Sequence, residues 1–148
     1  MKAKIATLKP RTGGYCLDEQ VGFLLRQVNQ RHSSIFAEKI GCDLTSMQWA
    51  VLSKLQEIGA TSQNQLGRAT AMDVATVKGV VDRLTGRGFC HIAADPDDAR
   101  RRLVDLTPKG RALVDAHVDQ AYAISDETLA PLTAAERKVF MSLLAKLR

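Results

Sequence analysis

The sequence predicts a mainly α-helical domain, with a helix-turn-helix and a small β-hairpin wing set between long N- and C-terminal helices. Three observations carry that prediction. Apolar residues recur at three- and four-residue steps over most of the 148 residues. Helix-start residues stand ahead of those periodic segments at Thr45, Ser62, Asp73, Thr107 and Thr133. Only Phe89–Ala93 and Arg102–Leu106 read as strands, placed around the turn Asp95-Pro96-Asp97-Asp98.

Residues 1–14 are basic, contain Pro10 and Gly13-Gly14 and show no sustained period. Residues 1–16 are therefore expected to form a flexible arm; contact with DNA and simple solvation both fit its charge. From Leu17 a long helix is expected to run to about Ile40, with Val21, Leu24, Leu25, Val28, Ile35 and Phe36 on one stripe that His32 continues. Some six turns of helix exceed what so small a core needs, which makes this segment, 17–40, a candidate dimer interface. Gly41 ends it. Thr45 with Gln48 forms a capping box for the next helix, Leu44 and Trp49 fit the accompanying staple, and Val51, Leu52, Leu55 and Ile58 lead to Gly59.

Ser62 and Gln65 suggest a second capping box at the first helix of the turn motif. After Ala71-Met72 the second helix begins at Asp73, carries Val74, Val77, Val81 and Leu84 on its inner face, and stops by Gly88. Beyond the wing, Thr107 followed by Pro108 starts a helix bearing Leu113, Val114, Val118, Ala121, Ile124 and Leu129. Pro131 breaks it, Thr133 with Glu136 forms a third capping box, and Val139, Phe140, Leu143, Leu144 and Leu147 mark the last helix.

Composition narrows the function classes. The net charge is +5, but Lys2, Lys4, Lys9 and Arg11 supply most of it from the arm. Local clustering says more than the total: Arg100, Arg101 and Arg102 fall together at the hairpin, with Lys109 and Arg111 just after. No apolar run is long enough to span a bilayer and the N-terminus lacks a signal-peptide core, so a cytoplasmic location is expected. Cys16, Cys42 and Cys90 show neither disulfide nor metal-ligand spacing. His32, His91 and His117 stand on separate elements, and no nucleophile constellation or phosphate loop appears, which argues against an enzyme.

In the second helix of the motif, Thr76, Lys78 and Arg83 lie outside the apolar face and are the expected major-groove residues. Asp73 is the expected N-cap. Gly79 is unusual within a helix, and close approach of DNA or of another helix would account for it. On the wing, Arg100 and Arg101 suit the minor groove and neighbouring phosphates, while Asp98 can pair with an arginine and fix the wing's angle.

Thr76-Val77, Val81-Asp82-Arg83-Leu84, Arg87-Gly88, the Asp-Pro-Asp-Asp-Ala-Arg wing and Leu106-Thr107-Pro108-Lys109-Gly110 together resemble the MarR (multiple antibiotic resistance regulator) family of bacterial transcription factors. The resemblance covers nearly the whole chain. It implies a single domain, 1–148, that pairs into a homodimer through helices 17–40 and 107–148 and presents a DNA-binding lobe, 44–106, to a pseudo-palindromic operator, usually as a repressor. It matches Asp98 and Arg100 to the family's wing acid and minor-groove arginine, and it departs at Gly79, where many members carry a larger residue.

The same resemblance implies a small aromatic carboxylate or phenolic effector between the dimer helices and the DNA-binding lobe; no cofactor or metal is expected. Arg26 and His32 can bind an acid there and Trp49 can form an aromatic wall; a core histidine and a staple tryptophan fit the same two positions. Asn29-Gln30-Arg31-His32, Ala71-Met72-Asp73 and Lys78-Gly79 are similar to a subgroup that controls aromatic-acid catabolism, including hydroxylated nicotinates and benzoates. Two other readings stay open. One branch of the family senses hydroperoxides through a cysteine near the start of its first helix, which Cys16 matches in position, although Asp18 and Glu19 oppose a reactive thiolate. A non-specific architectural DNA protein would bind irrespective of base sequence.

Overall fold

Every long helix of the DNA-binding lobe starts where a side chain satisfies the free N–H groups of the first turn. In the computed structural model, which describes residues 13–148, a 3-10 turn (Leu17–Glu19) precedes α1 (Val21–Lys39), α2 (Ser46–Ile58), α3 (Gln63–Ala69), α4 (Val74–Gly86), β1 (Cys90–Ala94), β2 (Arg102–Leu106), α5 (Pro108–Leu129) and α6 (Ala134–Lys146). Most of the expected basic arm lies outside the described residues. Thr45 and Gln48 form a reciprocal capping box at α2, as Thr133 and Glu136 do at α6. The Asp73 carboxylate accepts from the Thr76 N–H at 2.7 Å and the Thr107 hydroxyl from the Gly110 N–H at 3.1 Å.

Two of the expected starts differ. The Ser62 hydroxyl accepts from the Gln65 N–H, but the Gln65 side-chain oxygen takes the Thr61 and Ser62 hydroxyls, so the second capping box is not reciprocal. The helix expected from Leu17 begins instead at Val21. Gln20 between the two pieces is extended (φ −87°, ψ 132°), and its amide donates back to the Cys16 carbonyl at 2.8 Å, closing the 3-10 turn and interrupting the helix.

The main core gathers Leu44, Val51, Leu52, Leu55, Leu66, Val77, Val80, Val81, Leu84, Val104, Leu106 and Val114 from α2 to α5. A smaller cluster joins Phe36 of α1 and Ile40 at its C-cap to Ile124 of α5, and Trp49 packs against both clusters. The inner face of α4 is Val77, Val80, Val81 and Leu84, the i, i+3, i+4, i+7 pattern of a helical stripe. Val74, expected on that face, is 67% exposed because it opens α4 and projects past the layer that α2 and α3 cover.

β1 and β2 pair antiparallel from Cys90 with Leu106 to Ala94 with Arg102, and Thr61 adds a bridge to Val104. The first strand starts at Cys90, one residue later than expected, because Phe89 belongs to the α4 terminus: its N–H donates to the Leu84 carbonyl. Gly88 there adopts φ +78°, the left-handed region that favours glycine.

Three consecutive carbonyls then tie the end of α4 to the start of α5. Arg87 O accepts from the Lys109 ammonium (3.0 Å), Gly88 O from the Thr107 hydroxyl (2.6 Å) and Phe89 O from the Thr107 N–H (3.0 Å). The Lys109 ammonium also sits 4.7 Å from the centre of the Phe89 ring. A Cβ on Gly110 would stand 2.1 Å from Phe89 O, so glycine is what allows α5 to begin this close. The Thr-Pro-Lys-Gly segment is thus a clasp between the two helices. No helix among the described residues is long and apolar enough to cross a membrane.

Candidate nucleic-acid interface and ligand seam

α3 and α4 meet in a turn too tight for larger residues at its inner corner. Met72 donates its N–H to Gly67 O at 2.8 Å, a Cβ on Gly67 would stand 3.0 Å from Met72 O, and Ala71 takes a left-handed φ of +55°. This geometry aims the start of α4 outward. Lys78 and Arg83 are exposed on it and Thr76 is half-buried, at the edge of an open cleft of about 350 Å³ shared with Ser46, Met47, Thr70, Ala71 and Met72. Asp73 serves as N-cap, as expected, and the Thr76 N–H, then its hydroxyl, hold the carboxyl below the usual carboxylate range.

Lys78 is paired with Asp82 at 2.6 Å, one turn along, with both side chains more than half exposed. Such a pair is worth at most about 1 kcal/mol, so a phosphate can compete for the ammonium. Arg83 has no ion-pair partner among the described residues. Among the described residues nothing lies within 4 Å of a Cβ built on Gly79, so none of the described helices explains that glycine.

At the wing tip the acids hold the backbone. The Asp95 carboxylate accepts from the Asp97 N–H (2.9 Å) and the Asp98 carboxylate from the Arg100 N–H (3.0 Å), while Asp95 N–H closes the hairpin on Arg101 O. Asp98 therefore orients Arg100 through its backbone, and among the described residues it pairs with no guanidinium. The arginine pair is instead Arg101 with Asp95, at 3.7 Å, and the Asp95 side chain is only 10% exposed. Asp95 faces Arg101 across the hairpin mouth, a partnership the register shows and sequence spacing does not. Arg100 is left projecting and exposed.

The seam between α1 and α5 places the remaining sequence-derived residues. His32 Nδ1 lies 2.8 Å from the Thr128 hydroxyl, and Arg31 donates to the backbone carbonyls of Glu127, at 2.9 Å, and Thr128. Lys39 adds a loose pair with Glu127 at 3.9 Å. Trp49 sits one helical turn below, against Phe36 and Ile124. Arg26 is not brought to this seam. At roughly 100° per residue it lies about 120° around α1 from His32, and its side chain is exposed. The roles of Arg31 and Thr128 at the seam are not legible in the sequence, because their partners lie 96 and 97 residues away along the chain.

The cysteines are separate from each other. Cys16 is exposed, just ahead of the 3-10 turn that carries Asp18 and Glu19. Burial pushes the half-buried Cys42 thiol up against a smaller opposing pull from Arg87, and pushes buried Cys90 up to about 12. Among the described residues no group of three or more His, Cys, Asp or Glu is placed to hold a metal ion.

Comparison with known proteins agrees with this architecture. Residues 44–101 match the MarR family. The HTH-type transcriptional repressor NicR of Pseudomonas putida is 43% identical over 135 residues, 90% of this chain and 85% of NicR. A crystal structure described as a probable transcriptional regulator from Pseudomonas aeruginosa superposes with a TM-score of 0.88 at 53% identity, over 90% of this chain and all of that one. Bordetella bronchiseptica BpsR, whose DNA binding is regulated by 6-hydroxynicotinic acid, gives a TM-score of 0.87 at 45% identity, over 91% of this chain and 97% of BpsR. With a repressor this similar over most of both lengths, and with the turn motif, the wing and the flanking helices all in place, the chain belongs to the MarR family of winged helix-turn-helix transcription regulators.

Proposed function

We propose that the protein is a homodimeric repressor that binds a pseudo-palindromic operator and is released by a small hydroxylated aromatic acid. The observation that carries the DNA half is the continuous exposed surface of α4 and the wing, with Thr76, Lys78 and Arg83 on one and Arg100 on the other. In this reading α4 enters the major groove, Arg100 reaches the adjacent minor groove, and Arg101, steadied by Asp95, meets the backbone.

The dimer half rests on α1 and α6. The stripe of α1 that is buried at Phe36 continues to Val21, Leu24, Leu25 and Val28, which are 67%, 44%, 46% and 48% exposed, and Val139, Met141, Leu143 and Leu147 stand out from α6. Exposed apolar surface on both terminal helices is what a second copy would cover. The effector half is supported by the likeness to BpsR and NicR and by the α1–α5 seam, where His32 and Trp49 lie beside the helices that such a dimer joins. Arg31, and not Arg26, is the arginine at that seam within one protomer.

Hydroxyl-radical footprinting on the DNA upstream of the coding sequence tests the reading. Two protected half-sites related by a dyad, about 10 bp or a multiple apart, support it; a single unpaired footprint or uniform protection would remove it.

A further inference from the structure

The Thr128 hydroxyl makes two short contacts, and together they decide the state of a histidine. Its oxygen lies 2.8 Å from the Ile124 carbonyl oxygen and 2.8 Å from His32 Nδ1. A carbonyl can only accept, so the single hydroxyl hydrogen points to Ile124, and the hydroxyl is left as an acceptor toward His32. Nδ1 must then carry the hydrogen. In neutral imidazole only one nitrogen does, so Nε2 holds a lone pair, and among the described residues it has no hydrogen-bond partner. The carrier of this arrangement is itself fixed, because Arg31 on α1 grips the Glu127 and Thr128 carbonyls of the same turn.

We infer that Thr128 is a positioning residue: it locks neutral His32 as the Nδ1–H tautomer, so that Nε2 presents an acceptor and favours effectors bearing a ring hydroxyl or ring N–H in addition to a carboxylate. This deepens the effector reading above and rests on it. An acceptor at Nε2 meets an O–H or N–H donor directly, whereas a bare aromatic carboxylate at the same place faces lone pair with lone pair. The selection is set by Thr128 of α5, while His32 belongs to α1.

Two measurements on the full chain separate this inference from the reading beneath it. Long-range 1H–15N correlation of the histidine rings, with no effector present and at about pH 8.5 where an ordinary imidazole is neutral, reads the tautomer. The hydrogen is expected on His32 Nδ1 in the wild type and in Thr128→Ser, and a mixture or the Nε2–H form in the near-isosteric Thr128→Val. Nε2–H in the wild type overturns the inference. Release of labelled operator DNA is then titrated with 6-hydroxynicotinic acid and with nicotinic acid, which lacks the hydroxyl. Thr128→Val is expected to need roughly five- to tenfold more 6-hydroxynicotinic acid, with operator affinity in its absence and urea stability little changed, and Thr128→Ser to restore the wild-type response. Equal preference between the two acids in wild type and Thr128→Val overturns the selection. Failure of both acids on the wild type overturns the effector reading and the selection with it, while the ring spectrum still decides the tautomer.

Discussion

The clasp between α4 and α5 makes a glycine-to-alanine exchange change sign with position. In Gly110→Ala the new Cβ would start 2.1 Å from Phe89 O, 3.0 Å from Phe89 C and 3.3 Å from a Leu106 methyl. Backbone atoms cannot swing aside as a flexible side chain can, so α5 must back away by roughly 1 Å to reach an ordinary contact distance. That shift lengthens the Thr107 N–H bond to Phe89 O and the Thr107 hydroxyl bond to Gly88 O beyond good geometry. Two weakened hydrogen bonds at about 0.5–1.5 kcal/mol each and overpacking at about 1–3 kcal/mol oppose a helix-propensity gain of about 1 kcal/mol. The net expectation is a loss of about 3 kcal/mol, which with a urea slope near 2 kcal/mol/M lowers the unfolding midpoint by about 1–2 M at fixed protein concentration. Gly79→Ala is the internal control. Its Cβ meets nothing within 4 Å among the described residues, so it should gain about 0.5–1 kcal/mol from helix propensity alone. Urea unfolding of both variants beside the wild type is the assay, and equal stabilisation of the two would refute the argument that α5 begins in backbone contact with Phe89.

Arg100→Ala should weaken operator binding by about 1–3 kcal/mol and reduce its salt dependence, with an unchanged urea midpoint because the side chain is exposed; unchanged anisotropy titrations would withdraw Arg100 from the interface. Asp73 has a depressed carboxyl pKa, so its capping contribution is fully present above the unfolded value near pH 3.9 and is lost as pH falls from there through the lower folded value. Asp73→Asn keeps a capping oxygen but no titration, and its urea midpoint should fall less steeply than the wild type's between about pH 5 and 2; parallel curves would contradict the cap's role. Cys16→Ser should bind operator and respond to effector as the wild type does, before and after peroxide treatment, because release is assigned to the effector and not to the exposed Cys16 thiol. Peroxide-dependent release lost in that variant would restore the thiol-switch reading.

Local interactions made much of the fold legible from the sequence alone. The capping boxes at Thr45 and Thr133, the Asp73 cap and Pro108 at the first position of α5 each depend on residues within a single turn, and each forms as its spacing implies. Misreadings arose where a side chain had a second choice of partner. Gln65 took hydroxyls in place of a backbone N–H, and Gln20 closed a 3-10 turn instead of extending α1. Val74 shows a different limit: periodicity gives the face a residue lies on, but not whether a neighbouring element reaches that far along the helix. At the candidate sites the exposed positions of α4 follow from the same periodicity. The Asp95–Arg101 pair required the hairpin register, and the Arg31 and His32 bonds to α5 required the tertiary packing of two helices nearly a hundred residues apart. Arg26 needed only the helical angle, which sets it well round from His32.

The proposed activity is sequence-preferring DNA binding that a hydroxylated aromatic acid reverses. Fluorescence anisotropy of a labelled duplex from upstream of the coding sequence, against a scrambled duplex at the same salt and with 6-hydroxynicotinic acid added in steps, tests it most directly. Binding to the upstream duplex is expected to be tighter by about a thousandfold or more, with return to the free-DNA signal as the acid is added. Equal affinity for the two duplexes would contradict it and leave a non-specific DNA-binding protein in its place.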